Sequence, residues 1–426
     1  MKTVRLWLWA FAAAAFAPII VFGANGTVIL LGLVALAVPG LRAWRGAIND
    51  LARTPIGWAL CGMLVIAITS LIWTPAPDVA ADKLLRLVLL WFGGCAALGA
   101  ISNADTNTIK WLARLLPVGI CVALLFYWIE LATSARIISL ITGLDAAMQA
   151  RFPTPHEQEL FRSVYGFGAI SRGAGLLAIF VWPAMACCIA LFPARGKWLA
   201  AVLGGAVFVT ILPLPMQAAS LAMVVGAGAF FCTWFAPQRG PKVMVALAVV
   251  LTVIMPLISY HVARPEVLGI EKHQLPGSWQ HRVEIWHFSA TKISEKPLLG
   301  WGFDASRNID GGNTQFVLEL PDGSEKIFPG IGLLPLHPHN GILQVWLEMG
   351  AVGAVLLTLL FFGLGKSLAA ITNAYGRLGG AMASASTASA LCVGLLSFGQ
   401  WQSWWQASLW IAALLCTGAL RAFSPR

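Results

Sequence analysis

An all-α polytopic membrane protein of about twelve spans is what the sequence predicts, on three observations. Of 426 residues, 58% are hydrophobic and only 11% charged, against ~25% charged in ordinary globular chains, and the mean hydropathy is +0.79. Apolar stretches of roughly 20 residues, the length that crosses a bilayer, recur between turn-rich or charged breaks. Basic residues collect in alternate connections. Such a composition excludes a soluble enzyme, a disordered chain and a DNA-binding protein.

The stretches centre near Ala13, Val34, Val65, Leu90, Cys121, Val181, Gly204, Val224, Val249, Val355, Ala390 and Ala412. The first is long and lacks an obvious cleavage site, so it reads as a retained span rather than a signal peptide. Short turns such as Gly23–Gly26 and Phe192–Gly196 join neighbours as helical hairpins. The chain divides into spans one to five over 1–130, an amphipathic segment over 131–171, and spans six to nine over 172–260. A large loop with short helices over 261–336 and the last three spans over 337–426 complete it.

With the N-terminus in the cytoplasm, fifteen basic residues face that side, among them Lys2, Arg42, Arg45, Arg53, Lys110, Arg195, Lys242, Lys366 and Arg421. They stand against two acids, Asp50 and Asp105. The other thirteen basic and sixteen acidic residues lie outside. This positive-inside bias puts both termini in the cytoplasm and accounts for the net charge of +10 without an acidic partner. All eight cysteines fall within expected spans and none forms CxxC, so they read as packing residues rather than a disulfide or metal framework.

Polar chemistry is concentrated on the outer side, where all seven histidines lie. In the first outer segment apolar residues return at helical spacing from Ala135 to Arg151, the pattern of an interfacial amphipathic helix. Arg172 follows at the mouth of the sixth span, where a functional role and snorkelling to headgroups both fit. In the second, Arg282 and Trp286 share a face of a helix expected from Gln280 to about Ile293. The chain then returns to the membrane through His337-Pro-His-Asn-Gly341. On position alone, His339 is more often an interfacial hydrogen-bonding residue than a catalyst.

Several motifs fail. Gly363-Leu-Gly-Lys-Ser367 lacks the opening glycine of a phosphate loop, Leu360 standing in its place. Neither His337 with His339 nor His281, Glu284 and His287 has the spacing of a complete metal shell, so no metal and no cofactor is expected. No Asp-x-Asp occurs, and a phosphorylated donor would have to be held by arginines, which bind phosphate in a bidentate way. Most of the 19 tryptophans, with the run Trp401–Trp405, are expected in an interfacial belt. Trp279, Trp286 and Trp301 are the better candidates for sugar contact.

His339-Asn340, nine residues, then Gly350-Ala-Val-Gly353 is similar to the His-Asn-x9-Gly-x-x-Gly signature of the bacterial O-antigen ligases, a superfamily shared with O-antigen polymerases and protein O-oligosaccharyltransferases. Pro297-Leu-Leu-Gly-Trp-Gly302, Arg282 with Trp286, and Arg172-Gly-Ala-Gly175 resemble further family features. Gln217–Ser220 departs from it where many members carry an arginine.

The resemblance implies a GT-C-like membrane enzyme of the bacterial inner membrane with its site facing the periplasm. It implies transfer of O-antigen from undecaprenyl diphosphate to lipid A-core oligosaccharide by metal-independent inverting transfer. His339 would be the base, Arg172 and Arg282 would bind the diphosphate, and Asn340, Trp286 and His337 would support them. A polymerase or protein-glycosylating transferase using the same donor remains an alternative. A secondary transporter also fits twelve spans, although no inverted repeat is apparent.

Overall fold

In a computed structural model the structure describes residues 2–144, 154–262, 264, 267, 269–320 and 322–423. The helices in chain order are α1 (Lys2–Phe22), α2 (Thr27–Leu36), α3 (Leu41–Ala52), α4 (Pro55–Thr69), α5 (Pro77–Ser102), α6 (Thr106–Ala132) and α7 (Arg136–Thr142). They continue as α8 (Pro155–Leu191), α9 (Gly196–Ile211), α10 (Gln217–Phe235), α11 (Gly240–Leu257), α12 (Gly277–Glu295), α13 (Gly341–Leu396) and α14 (Ser403–Phe423). Strands β1 (Gln315–Glu319) and β2 (Glu325–Gly332) form one antiparallel hairpin between α12 and α13. The expected loop of short helices thus also carries strands.

Local chemistry starts several helices. The Thr54 hydroxyl accepts from the Gly57 amide ahead of Pro55, Asp105 accepts from the Thr108 amide, and Thr154 forms a capping box with Glu157. Each satisfies an amide that the first turn leaves open. Helix α7 stops at Gly143, whose φ of +68° suits a residue without a Cβ. The rest of the amphipathic helix expected to reach Arg151 lies outside the described residues. Helix α8 runs unbroken across the expected boundary at 171/172.

The helix count differs from twelve. Among the described residues nine helices are long and apolar enough to cross a membrane, or up to ten if the bent pair Ala24–Leu36 and Leu41–Ala52 is one span. The region near Gly204 falls in α9, whose 16 residues reach about 24 Å at 1.5 Å per residue, short of the ~30 Å apolar core. Val355 and Ala390 share the 56-residue α13, which is non-helical at Gly350 and Gly376. At Gly376 the chain folds back, so that a Cβ on Gly380 would meet the Thr372 side chain.

The largest core is made by α1, α2, α6, α8 and α14 around Ile20, Ile120, Phe180 and Trp405, all under 2% exposed. A second core links α4 and α5 to the start of α13, and a third, around Ile285, Leu343 and Leu347, holds α12 against α13. The run Trp401–Trp405 belongs inside: Trp401, Trp404 and Trp405 are buried, not in a belt. The Trp401 indole donates to the buried Glu348 carboxylate.

Candidate active site

Gly350 explains the geometry of the histidine motif. With φ 60° and ψ −154° it lies in backbone space essentially reserved for glycine, and a Cβ there would strike the Leu298 backbone. The break leaves Gly341–Met349 as a short separate segment, and the Pro297–Gly302 loop docks into it. Trp301 N donates to Leu347 O at 2.9 Å, Gly302 N to Glu348 O at 3.0 Å, and Ala351 N to Pro297 O at 2.8 Å. Carbonyls and amides that a continuous helix would satisfy internally are satisfied by this loop instead. Gly300, at φ +68°, is needed for the same approach, because a Cβ would meet the Glu348 backbone at 2.5 Å.

At the other end of the short segment Asn340 is the N-cap. Its Oδ1 accepts from the amides of Ile342 and Leu343, both at 3.1 Å. Buried to 2% exposure, Asn340 holds the helix start rather than presenting its amide to solvent.

His339 precedes it with φ 51°, a left-handed conformation uncommon outside glycine. Its Nδ1 lies 2.9 Å from the Ser397 carbonyl oxygen. A carbonyl only accepts, so Nδ1 carries the proton and Nε2 of the neutral ring keeps its lone pair. Burial holds the imidazole below its usual range. The Ser397 bond works against that shift, and nearby Arg282 and His281 reinforce it.

His337 packs against His339 with ring centroids 4.3 Å apart, and its Nδ1 accepts the His339 amide at 3.1 Å. Burial pushes it well below the ordinary histidine range, followed by His339, Arg307 and Lys83. It is therefore a neutral acceptor that fixes the backbone of its neighbour.

Helix α12 supplies Arg282 and Trp286. The Trp286 Nε1 donates to Pro338 O at 3.0 Å, tying α12 to the histidine loop. Arg282 lies over the Trp279 ring at 5.5 Å, and burial lowers its pKa from the ordinary arginine value. Trp279 in turn donates to Gln217 at 3.3 Å, so the stretch Gln217–Ser220 begins with a partner of this helix. Trp301 sits under Lys296, 3.9 Å from the ring centroid, and donates to Lys292 O.

Arg172 is not in contact with His339. Its guanidinium is exposed and donates to Asn25 Oδ1 at 3.3 Å. Asn25 lines a cavity of about 360 Å³ shared with Lys83, Arg86, Arg307 and the segment Trp401–Trp404. Lys83 and Arg307, two of the residues lining this cavity, are among the charges that lower the His337 pKa, after burial and His339.

Lys83, Arg86 and Arg307 were not expected from the sequence. Nor was Glu348, the fully buried carboxylate that accepts from Asp304 N, Ser306 Oγ, Gln344 Nε2 and Trp401 Nε1. An acid inside an apolar span was the available signal for Glu348. Among the described residues no group of three His, Cys, Asp or Glu side chains is arranged to hold a metal ion.

Fold and site together define a multi-pass all-α membrane protein whose polar chemistry is gathered at one end of the bundle, around a broken helix and a histidine pair. Residues 210–358, which contain Arg282, Trp286, His337, His339, Asn340 and Gly350, match the family model described as O-antigen ligase. Curated relatives provisionally named polysaccharide ligase are similar over longer stretches. One from Rickettsia conorii is 28% identical over 323 residues, covering 74% of this chain and 69% of that protein. One from Rickettsia prowazekii is 28% identical, covering 74% and 70%. One from Rickettsia felis is 30% identical over 257 residues, covering 60% of each chain. The chain is thus similar to O-antigen ligases over residues 210–358 and to these polysaccharide ligases over more of its length.

Proposed function

We propose that the chain transfers O-antigen from undecaprenyl diphosphate to lipid A-core oligosaccharide at the outer face of the bacterial inner membrane. His339 is the general base: Nε2 takes the proton of an acceptor hydroxyl while that oxygen attacks the anomeric carbon. The bond from carbon to diphosphate breaks, and undecaprenyl diphosphate leaves with inversion at carbon. Arg282 and Arg172 stabilise the developing negative charge without a metal ion, and the basic cavity of Lys83 and Arg307 extends that field. Asn340, His337 and Trp286 act through His339 by holding its loop.

The observation that carries this reading is the bond between His339 Nδ1 and Ser397 O. It orients a neutral imidazole, shifted below its usual pKa, with Nε2 free to act near neutral pH. The names of the relatives favour a ligase over a polymerase.

The test is transfer by purified protein between synthetic undecaprenyl diphosphate glycan and lipid A-core. Capped lipid A-core of unchanged glycan length, made in the presence of EDTA and lost in His339→Ala, is the expected result. Lengthened glycan left on the carrier would identify a polymerase instead. Full activity in folded His339→Ala would overturn the role of His339.

A further inference from the structure

Helix α3 is unlike the other helices at the membrane: none of its twelve residues is buried, and it is bent by 116° from α2. Its sequence, Leu41-Arg-Ala-Trp-Arg-Gly-Ala-Ile-Asn-Asp-Leu-Ala52, divides sharply. At 100° per residue Arg42, Arg45, Asn49 and the C-cap Arg53 fall within an arc of about 80°, and Leu41, Trp44, Ile48 and Leu51 occupy a separate arc of similar width centred about 120° away.

The apolar side is anchored on α5. The Trp44 Nε1 donates to Phe92 O at 3.1 Å, the two rings meet edge to face at 6.1 Å, and Gly99 admits the Ala43 carbonyl. Gly99 is three residues from the end of α5, so α3 lies at the level where the span ends. Lys83, at the histidine site, is sixteen residues earlier, roughly 24 Å away along the helix. Arg42, Arg45 and Arg53 are exposed, and none takes part in an ion pair among the described residues.

We propose that α3 is a surface helix that binds the head groups of anionic phospholipids through Arg42, Arg45 and Arg53, at the end of the bundle opposite His339. A basic surface helix whose apolar side packs on the end of a span holds its arginines at headgroup depth, where a negatively charged leaflet attracts them. Charge complementarity selects the occupant: three guanidiniums on one face of a helix at that depth fit lipid phosphates. The aromatic contact to Phe92 keeps the helix from rolling that face away. The inference does not rest on the proposed reaction.

Dansyl-labelled phosphatidylglycerol titrated into the detergent-solubilised full chain, read by energy transfer from tryptophan, tests it, with dansyl phosphatidylcholine as the control. The expectation is saturable transfer with the anionic probe alone, weakened as salt rises from about 0.05 to about 0.5 M. Each arginine contributes on the order of fivefold to affinity, so the triple Arg42→Gln, Arg45→Gln, Arg53→Gln variant should lose about a hundredfold, while triple replacement by lysine keeps most of it. Trp44→Phe should reduce the transfer signal without changing the affinity. Equal binding of both probes, or unchanged anionic binding in a folded triple glutamine variant, overturns the proposal. If that variant does not fold, salt-insensitive binding by the unaltered protein overturns it equally.

Discussion

Nδ1 of His339 and the carbonyl oxygen of Ser397 stand 2.9 Å apart, joining the loop before α13 to the loop after it. The bond decides which nitrogen can act as a base. As a base His339 works only when neutral, so transfer should rise with pH along a limb set below the usual histidine value by burial and by Arg282. Removing the cation in Arg282→Gln raises the histidine pKa and moves that limb to higher pH. The pH–rate profile of both proteins is the measurement. His339→Ala should lose about 10²-fold or more in turnover at every pH.

The helices of this bundle were legible because apolar runs of bilayer length identify themselves, and all twelve expected centres fall in helices. The count of twelve is not matched in the same way, since α9 is short and the expected centres near Val355 and Ala390 share α13 on either side of its break at Gly376. Within the site, the histidine motif and the α12 pair were readable, and Arg282, Trp286, His337, His339 and Asn340 do converge. What stayed hidden was long-range. Lys83 meets Asp304 across 221 positions, a pairing no local pattern encodes. Trp401 reads as a belt residue because composition records that indoles like interfaces and cannot record that Glu348 waits in the core.

His337 should make stability depend on pH. Its imidazole is neutral in the fold and held by burial well below the ordinary histidine range, whereas the unfolded chain takes up a proton near ~6.5. The unfolded state therefore binds more protons as pH falls, and stability is lost progressively below about 6.5 while staying flat above it. Thermal melting of detergent-solubilised protein between about pH 5 and 8 should show this slope. His337→Gln, which keeps an acceptor for the His339 amide but cannot titrate, should reduce it.

Gly350→Ala should be among the most damaging small substitutions in the chain. The backbone there costs about 1–3 kcal/mol for any residue with a Cβ, and the added methyl also collides with the Leu298 backbone. Relieving the collision means withdrawing the Pro297–Gly302 loop and its bonds to Leu347, Glu348 and Ala351. A lowered melting temperature together with loss of transfer is expected. Gly376→Ala meets no neighbouring atom, so it should cost only the strain of its positive φ, and comparing the two separates backbone strain from loop docking.

Glu348→Gln should destabilise although it keeps size and shape. The carboxylate accepts four donors, from Asp304 N, Ser306, Gln344 and Trp401. An amide offers one acceptor oxygen and turns an NH₂ toward a donor on the other side. Leaving one buried donor unsatisfied costs about 1–3 kcal/mol. Since Glu348 lies in the short segment Gly341–Met349 that follows His339 and Asn340, turnover should fall as well, with the Michaelis constant for donor little changed. Denaturation midpoints and transfer kinetics of the variant check both parts.

The pair of Lys83 and Asp304 allows structure and ligand binding to be separated. Their 2.7 Å contact is largely shielded, with side chains 20% and 4% exposed, and Arg307 stands a further 3.9 Å from the same carboxylate. Removing the ammonium in Lys83→Met leaves Asp304 with only the distant guanidinium, and breaking a buried pair in this way costs up to about 3–5 kcal/mol. Neutralising both in Lys83→Met with Asp304→Asn removes the stranded charge and should recover much of that stability. If Lys83 serves only the fold, transfer recovers together with the melting temperature. If the basic cavity also holds the diphosphate, the double variant melts near the parent while its Michaelis constant for donor stays raised about tenfold, the effect of one lost charge-assisted contact. Measuring melting temperature and donor saturation on the parent, both single variants and the double variant distinguishes the two outcomes.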